Sequence, residues 1–555
     1  MAPPRSVLFL AAVTFALGLE RLAPEYALFH SRWPTMIVAY LTAELAMATW
    51  RILLWPYFFS PLRHLPQPKG NSLFMGQFPR ILKEPSGVPQ REWMETIPND
   101  GLIYYRSMFN SERVMVTSPK GLSEALSTKS YDLIKPKQLV QGIGRILGVG
   151  VLLAEGDEHK RQRKNLMPAF TYRHVKDLYP IFWDLTREMV LAVDKHLSNP
   201  PKTETTDETT DEKAAPANVV RVDEWASRAT LDIIGVAGIG KSFNAIEDEN
   251  SQLYQVYQSI FRQDSRTRLI GFLLPIWLVT RLPLKQNHKV EAARTFIRKM
   301  CLDVIQEKKA KIEAAAEKGE SDSGAGVDIL TVAMKSGGFT DEECIDQLMT
   351  FLAAGHETTA SAMTWALLVL CQHPEIQTKL RTELRESDLP NIRDKAATIT
   401  AEQVDKLPYL SAVINEVLRF HPPVPLTIRV AGNDTTLLGN FIPEGTTIIY
   451  SPVATNRLSS FWGEDSDTFN PDRWLGSGKA NGGADSNYAN MTFLHGPRSC
   501  IGQGFSKAEF ACLLAGWVMA FDSELADPEA KIEVQGGVTQ RPKGGLSCRI
   551  KVLDG

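Results

Sequence analysis

One run of about 30 residues in the middle of the chain limits the possible folds most, because it is apolar on every side of a helix. Thr340 and Glu343 form a capping-box pattern at its start, and DQLMTFLAAGHETTASAMTWALLVLCQHP then continues without a proline until Pro374. A helix of this kind needs apolar partners on all its faces. The sequence therefore predicts a large, mainly helical domain with this helix crossing its centre.

The composition is that of an ordinary globular protein with no global preference for nucleic acid. Of the 555 residues, 44% are hydrophobic and 23% are charged, and the formal net charge is -3. The six cysteines form neither a CxxC pair nor a regular disulfide framework, which indicates free thiols in a reducing compartment. Alternating β-formers predict a hairpin at 102–117, and further short strands are expected at 435–450 and at the C-terminus.

The N-terminus is apolar and predicts a membrane anchor at residues 1–59. Its run at 36–59 would extend about 36 Å as a helix, which is long enough to cross a bilayer. Glu44 and Arg51 inside this run, and a shorter apolar run at 7–19, leave the number of spans open. A cleaved secretory signal is the alternative, and the lack of disulfide patterning argues against it.

Composition also marks the expected domain boundaries. SPLRHLPQPKG at 60–70 contains three prolines and predicts a stiff hinge between the anchor and a globular domain at 71–555. Two segments, 199–217 and 318–326, have almost no large apolar side chains. They cannot bury enough surface to offset the entropy of ordering, so we expect disordered surface loops there.

Inside the long helix, AGHETT is the first candidate for chemistry. A zinc site would need a second histidine four residues after His356, and Ala360 stands there instead. Gly355 costs about 1 kcal/mol relative to alanine, which indicates that something needs the space. Glu357 and Thr358 then offer an acid and a hydroxyl that can relay protons to a ligand. The alternative is a packing glycine followed by a threonine that bonds back to the helix.

FLHGPRSCIG, at 493–502, places a cysteine in a turn directly before a predicted helix. Gly496 and Gly502 permit backbone conformations that other residues avoid. Unpaired N–H groups and the helix dipole at a helix N-terminus are expected to lower the pKa of Cys500, with Arg498 adding positive charge. Such a thiolate is a good soft ligand for iron.

A possible ion network accompanies this turn. Glu416 and Arg419, in NEVLRFHPP, are three residues apart and so face the same way on a helix that the prolines terminate. Such pairs also arise often by chance. Arg473, in FNPDRW, can join them in a buried network that fixes the fold around the cysteine turn.

In combination, these segments resemble the cytochrome P-450 family. FLHGPRSCIG matches the family's haem-binding signature, Phe-x-x-Gly-x-Arg-x-Cys-x-Gly, at every specified position. AGHETT is similar to its oxygen-activation segment, and Glu416, Arg419 and Arg473 resemble its structural triad. The motifs follow the family's order, and the anchor and hinge extend the likeness to nearly the whole chain. The chain is thus identified as a microsomal-type member similar to fungal ones. The resemblance implies a large helical domain with a small β-rich N-terminal part, preceded by a membrane anchor.

The resemblance implies a site for haem b, iron protoporphyrin IX. Cys500 would be the axial ligand of the iron, Phe493 would cover the proximal face, and Gly496 would shape the turn. The haem propionates would meet Arg498, Arg429, His159 and Arg163. His159 departs from the commonest family pattern, which has tryptophan there, although histidine can still donate to a propionate.

The resemblance also implies the catalytic groups and the pocket. Thr358, with Glu357 and ordered water, would deliver protons to bound O2. The pocket residues would be Leu348, Leu352, Gly355, Val424, Leu426 and Val538. Most of these are apolar, so we expect a lipophilic substrate.

The expected activity is that of a monooxygenase inserting one oxygen atom of O2 into a lipophilic small molecule, such as a terpenoid, polyketide or alkaloid of a fungal pathway. Electrons would come from NADPH through a NADPH-cytochrome reductase, with cytochrome b5 as a further donor. The catalytic domain, 71–555, would face the cytosol at the endoplasmic reticulum membrane. Two alternatives stay open. One is an electron-independent haem-thiolate isomerase or dehydratase of peroxides, which the Glu357–Thr358 pair disfavours, and the other is a non-enzymatic haem sensor.

Overall fold

The computed structural model describes residues 5–28, 31–199, 218–261, 279–281, 285–317 and 328–554. The expected disordered loops lie outside these ranges, except for Asn199 at the edge of the first one. Those two expectations therefore stay predictions.

The described part of the chain is mostly helical. Its α-helices are α1 Arg5–Leu22, α2 Arg32–Thr49, α3 Phe78–Lys83, α4 Val88–Thr96, α5 Pro119–Ser123, α6 Lys137–Leu147, α7 Gly156–Leu166, α8 Tyr172–Val175, α9 Tyr179–Ser198, α10 Val222–Ile233, α11 Gln252–Phe261, α12 Lys285–Glu317, α13 Ile329–Lys335, α14 Asp341–Gln372, α15 Pro374–Glu386, α16 Ala401–Asp405, α17 Pro408–Phe420, α18 Pro452–Thr455, α19 Ser459–Trp462 and α20 Gln503–Ala520.

The strands are short and form small sheets. They are β1 Leu102–Arg106, β2 Glu112–Val116, β3 Leu133–Ile134, β4 Val219–Arg221, β5 Thr427–Ala431, β6 Thr435–Leu437, β7 Asn440–Ile442, β8 Thr447–Tyr450, β9 Phe521–Leu525, β10 Val534–Gln535, β11 Arg541–Pro542 and β12 Ser547–Val552.

The chain divides into two compact units, of which the smaller combines Met1–Leu122 with Val430–Tyr450. In this unit β1 and β2 form the antiparallel hairpin predicted at 102–117, and β8 lies parallel to β2. β6 and β7 form a second hairpin. The predicted β-rich N-terminal part is therefore present, and it includes strands from a later part of the chain.

The apolar N-terminus is helical as well. The helix at Trp33–Phe59 is long and apolar enough to cross a membrane, and it alone passes that test among the described residues. From Trp50 onward it has wider, π-type turns, consistent with Pro56, which cannot donate the usual backbone hydrogen bond. The Tyr57 hydroxyl donates to the carbonyl of Leu73 at 3.0 Å, so the end of this helix is fixed to its own unit.

The larger unit combines Ser123–Arg429 with Ser451–Gly555, and α14 is its central helix. The predicted capping box is formed, since the Thr340 side chain accepts from the Glu343 N–H at 3.3 Å and the Glu343 carboxylate accepts from the Thr340 N–H at 2.8 Å. α14 packs against α10, α12 and α20, and most of its side chains are buried. The predicted long central helix is confirmed.

A three-stranded sheet, β4–β12–β9, closes one side of the larger unit's core. Trp183, Trp365 and Trp517 are fully buried in that core. All six cysteines are free thiols, and Cys301 and Cys512 are core side chains. Burial of apolar surface by α9, α14 and α20 holds the segment before α20 in place.

Candidate active site

The cysteine turn, residues 493–502, is a compact loop in front of α20. The backbone N–H of Cys500 donates to the carbonyl of Phe493 at 2.9 Å and closes the loop. Gly496 has a φ of +77°, and a Cβ there would lie 2.2 Å from the carbonyl oxygen of Leu126. Only glycine fits that position. Gly502 differs from the expectation, because its φ is -87° and the nearest atom to an added Cβ is 3.8 Å away.

The Cys500 thiol lies in a recess. Cys500 is exposed to water, and yet the surrounding protein desolvates the thiol enough to raise its pKa. The two observations agree if the sulfur faces a concave space that admits a ligand and little water. The N–H of Gly502 and the charge of Arg163 act in the opposite direction.

The expectation of a lowered pKa at Cys500 is therefore wrong for the protein alone. α20 begins only at Gln503, three residues beyond Cys500. Burial is therefore the dominant influence on the thiol, and it raises the pKa. A metal ion that coordinates sulfur displaces its proton, so iron coordination would supply the thiolate.

Arg163 braces the cysteine turn. Its Nη1 donates to the carbonyl of Ser499 at 2.7 Å, and its side chain comes from α7. The sequence predicted a propionate donor at this position. The contact observed is with the backbone next to Cys500, and a propionate contact stays a prediction.

Arg498 is the clearest candidate for a bound carboxylate. Its side chain is 5% exposed, and Nη2 pairs with the Glu155 carboxylate. Its Nε and Nη1 are buried without a hydrogen-bond partner among the described residues. Buried guanidinium donors are nearly always paired, and a carboxylate matches their fork geometry. This arrangement fits a haem propionate.

Two further cations lie near Arg498, and we call Lys135, Arg429, Arg498 and Glu155 the cation cluster. Lys135 is buried, and its Nζ donates to the Ala154 carbonyl and to Glu155 at 3.1 Å each. Burial, with the charges of Arg429 and Arg498, lowers the pKa of Lys135 to about 8 although Glu155 opposes this. Three cations with one carboxylate favour a ligand with negative charge.

The sequence missed Lys135 and Glu155. Arg498 and Glu155 are 343 residues apart, and no motif joins them. Arg429 is buried at the expected position, and its Nη1 donates to the carbonyl of Ile428 at 2.8 Å.

His159 is buried beside the cation cluster. Its Nδ1 lies 3.1 Å from the hydroxyl of Tyr131, another residue that the sequence did not single out. Burial, followed by the charges of Lys135, Arg498 and Arg163, lowers the pKa of His159 to about 4. The imidazole is therefore neutral near pH 7, with one donor and one acceptor nitrogen.

The AGHETT segment is the one turn in this part of α14 where side chains are accessible to solvent. Ala354 is exposed, and Gly355, Glu357 and Thr358 are half-buried in a helix that is otherwise buried over this stretch. The Thr358 hydroxyl donates to the Ala354 carbonyl at 2.7 Å. A Cβ on Gly355 would lie 2.9 Å from the Ile234 side chain. Gly355 is thus a packing residue, and the Thr358 hydroxyl bonds back to the helix. Glu357 and Thr358 are nevertheless partly accessible.

Glu357 is held by groups near the C-terminus. Its Oε1 accepts from the Thr539 hydroxyl at 2.9 Å and lies 3.7 Å from Nη1 of Arg541. Thr539 directly follows the predicted pocket residue Val538, which is 64% exposed.

The other predicted pocket residues differ in exposure. Val424 and Leu426 are half-buried, whereas Leu348 and Leu352 are fully buried in the core and have no accessible surface. The pocket as a whole stays a prediction.

The predicted ion network is assembled. Arg419 makes a bidentate pair with Glu416, at 2.8 and 2.7 Å, and both side chains are fully buried. Nε of Arg473 donates to Glu416 at 3.1 Å, and Nε1 of Trp474 donates to it at 2.9 Å. The network joins α17 to the 470–474 segment, both within the larger unit.

A helical fold in which a recessed thiol follows, two residues later, a buried arginine with unpaired donors is what a haem-thiolate protein requires. The Cytochrome P-450 family model matches residues 66–549, and the chain belongs to this family. Its cofactor is haem b, and O2 and electrons derived from NADPH are consumed. Proteins of this family generally work with a reductase and lipophilic substrates, and their eukaryotic members are typically membrane-associated.

Fungal proteins are among its relatives. The chain is 45% identical over 538 residues to cytochrome P-450 monooxygenase sphH of Aspergillus fumigatus, with 96% of each chain covered. It is 42% identical to cytochrome P-450 monooxygenase FUM15 of Gibberella moniliformis, over 94% of this chain and 93% of the relative. It is 43% identical to cytochrome P-450 monooxygenase ALT8 of Alternaria alternata, over 91% and 92%. The protein is therefore a monooxygenase, as the sequence motifs indicated.

Proposed function

We propose that this monooxygenase inserts one oxygen atom of O2 into a lipophilic small molecule of fungal secondary metabolism, such as a terpenoid, polyketide or alkaloid. The observation that carries the site assignment is the recessed Cys500 thiol in the same unit as the unpaired buried donors of Arg498. The half-buried Val424 and Leu426 and the exposed Val538 support an apolar substrate.

Each residue has a distinct role in this proposal. Bound haem b supplies the chemistry that activates O2 and transfers oxygen to a carbon–hydrogen bond. Cys500 would hold the iron, and Phe493 would cover the adjoining face of the haem. Four side chains would hold the propionates: Arg498, Arg429, His159 and Lys135. Arg163 keeps the cysteine turn in place through Ser499.

Side chains of α14 would deliver the protons that the reaction of O2 requires. The Thr358 hydroxyl donates to the Ala354 carbonyl, so its oxygen lone pairs remain available to accept from a water molecule. Glu357 is an acid held by Thr539 and Arg541, and it exchanges protons with that water. Apolar side chains near this turn exclude bulk water.

Electrons come from NADPH through a membrane-bound reductase, with cytochrome b5 as a further donor. The helix at Trp33–Phe59 supports a membrane anchor at 1–59. The proposal assigns that anchor to the endoplasmic reticulum membrane, with a hinge at 60–70 and a catalytic domain at 71–555 facing the cytosol. This chain has no convincing GxGxxG motif of its own for a nicotinamide cofactor.

The test is expression of the full chain with a reductase, followed by the spectrum of the reduced protein under carbon monoxide. The parent should show the red-shifted Soret band of thiolate ligation, and Cys500→Ser should lose it together with turnover. Cys371→Ala, at a half-buried cysteine elsewhere in the larger unit, is the matched control and should retain both. A Cys500→Ser protein with the parent's band would contradict the proposed ligand.

Substrates are then found by adding lipophilic extracts, selecting those that shift the haem spectrum, and identifying products by mass spectrometry. The product should be heavier by one oxygen atom and should carry 18O from labelled O2. Product formed without NADPH or reductase would instead indicate peroxide rearrangement. Spectral shifts with no product from any ligand would indicate a haem sensor.

A further inference from the structure

Tyr131 contacts two of the groups assigned to the haem propionates. Its hydroxyl lies 3.1 Å from Nδ1 of His159. The guanidinium carbon of Arg498 lies 4.8 Å from the centre of its ring, and Nζ of Lys160 lies at the same distance. All of these residues belong to the larger unit. One aromatic side chain therefore contacts both the imidazole and the guanidinium that the proposed function assigns to the haem propionates.

The hydroxyl of Tyr131 determines which nitrogen of His159 can donate. A neutral imidazole carries its single proton on either Nδ1 or Nε2. The Tyr131 hydroxyl has Nδ1 as its hydrogen-bond partner among the described residues, and donation to Nδ1 places the ring proton on Nε2. The indole of tryptophan donates in every state, so a histidine at this position needs a partner that fixes its tautomer.

The ring of Tyr131 acts on Arg498. That guanidinium is held by the Glu155 carboxylate through Nη2, and its carbon lies over the Tyr131 ring, in reach of a cation–π interaction. Its Nε and Nη1 are then left for a ligand. Without the ring, Arg498 has more rotamers available and loses part of its orientation.

We propose that Tyr131 is a positioning residue for haem b, which fixes the tautomer of His159 with its hydroxyl and the orientation of Arg498 with its ring. The proposal rests on the haem site described above. Both donors are thereby preorganised for the propionates, so Tyr131 slows the release of haem without touching the iron.

The test measures haem release by transfer to excess apomyoglobin, followed in the Soret band. Tyr131→Phe removes the hydroxyl and keeps the ring, and we expect release to become about three- to tenfold faster, as for the loss of one hydrogen bond. Tyr131→Leu removes both and should accelerate release by about a further threefold. Tyr179→Phe removes a hydroxyl that donates to Asp405 at 3.1 Å in the same unit, and it should release haem at the parent's rate.

A double-mutant cycle separates a positioning role from a general loss of stability. In a His159→Phe background, Tyr131→Phe should no longer accelerate release, because the hydroxyl has no imidazole to orient. Equal acceleration in both backgrounds would overturn the tautomer role. Tyr131→Phe is nearly isosteric, so it remains informative even if Tyr131→Leu fails to fold.

The failure of this proposal is distinguishable from failure of the haem site itself. A parent protein without the thiolate-type Soret band would overturn both. A parent with that band, together with a Tyr131→Phe protein that releases haem at the parent's rate, would overturn only the role of Tyr131.

Discussion

Replacing Arg419 by lysine should destabilise the larger unit strongly although the charge is kept. The five N–H groups of this fully buried guanidinium each have an acceptor. The acceptors are both carboxylate oxygens of Glu416 and the carbonyls of Asn456, Ser466 and Thr468. Lysine offers three N–H groups, so at least two of these five hydrogen bonds are lost.

The expected loss follows from that count. Each hydrogen bond that this buried, charged group loses costs about 1–3 kcal/mol, so Arg419→Lys should lower the free energy of unfolding by about 2–6 kcal/mol. Proteins of ordinary stability have about 5–15 kcal/mol in total. The variant should therefore be marginally folded and should lose haem at moderate temperature.

Urea unfolding followed by tryptophan fluorescence measures this effect, because the Arg419 guanidinium lies 5.0 Å from the Trp462 ring. Arg549→Lys is the matched control, since Arg549 is partly exposed and pairs with Glu524 only at 3.8 Å. Its unfolding midpoint should equal the parent's. If Arg419→Lys also unfolded within about 1 kcal/mol of the parent, the donor count would not explain the stability of this network.

Three further outcomes follow from the site. Gly496→Ala should abolish haem incorporation, measured as Soret absorbance per protein, whereas Gly502→Ala should retain it, because only the first position has a positive φ and a close backbone oxygen. Thr358→Ala should increase the hydrogen peroxide formed per NADPH consumed, while Thr364→Ala, which removes the same type of back-bonded hydroxyl at a buried position of α14, should not. Because the folded pKa of His159 is about 4 against an ordinary 6.5, only the unfolded chain takes up this proton as the pH falls through that window, so stability falls from pH 6.5 to 4. A His159→Gln variant should show a flatter dependence of Tm on pH over that range.

The elements that were predicted correctly are determined by residues close together in the sequence. The capping box at Thr340, the stop at Pro374 and the alternation in 102–117 are local patterns, and each produced the expected helix or hairpin. The requirement for glycine at 496 could also be inferred, because the motif spacing is local. The contact that enforces it, with Leu126, could not.

Tertiary effects account for what the sequence missed. The pKa of Cys500 is raised because burial, which no local pattern reports, outweighs the nearby N–H group and the charge of Arg163. Lys135 and Glu155 lie near Arg498 only because distant parts of the chain pack together within one unit. At Gly355, the sequence left two interpretations open, and the contact with Ile234 shows why a glycine is needed there.

The cation cluster and the neutral histidine are two results of one charge arrangement. Lys135, Arg429 and Arg498 outnumber Glu155, so the cluster has a net charge of about +2, which two haem propionates would balance. The same positive charges, added to burial, keep His159 uncharged. In the proposed site, His159 would therefore bind a propionate as a hydrogen-bond donor and not as a cation. A donor of this kind depends on the position of its one proton, which the proposed hydrogen bond from the Tyr131 hydroxyl would fix on Nε2.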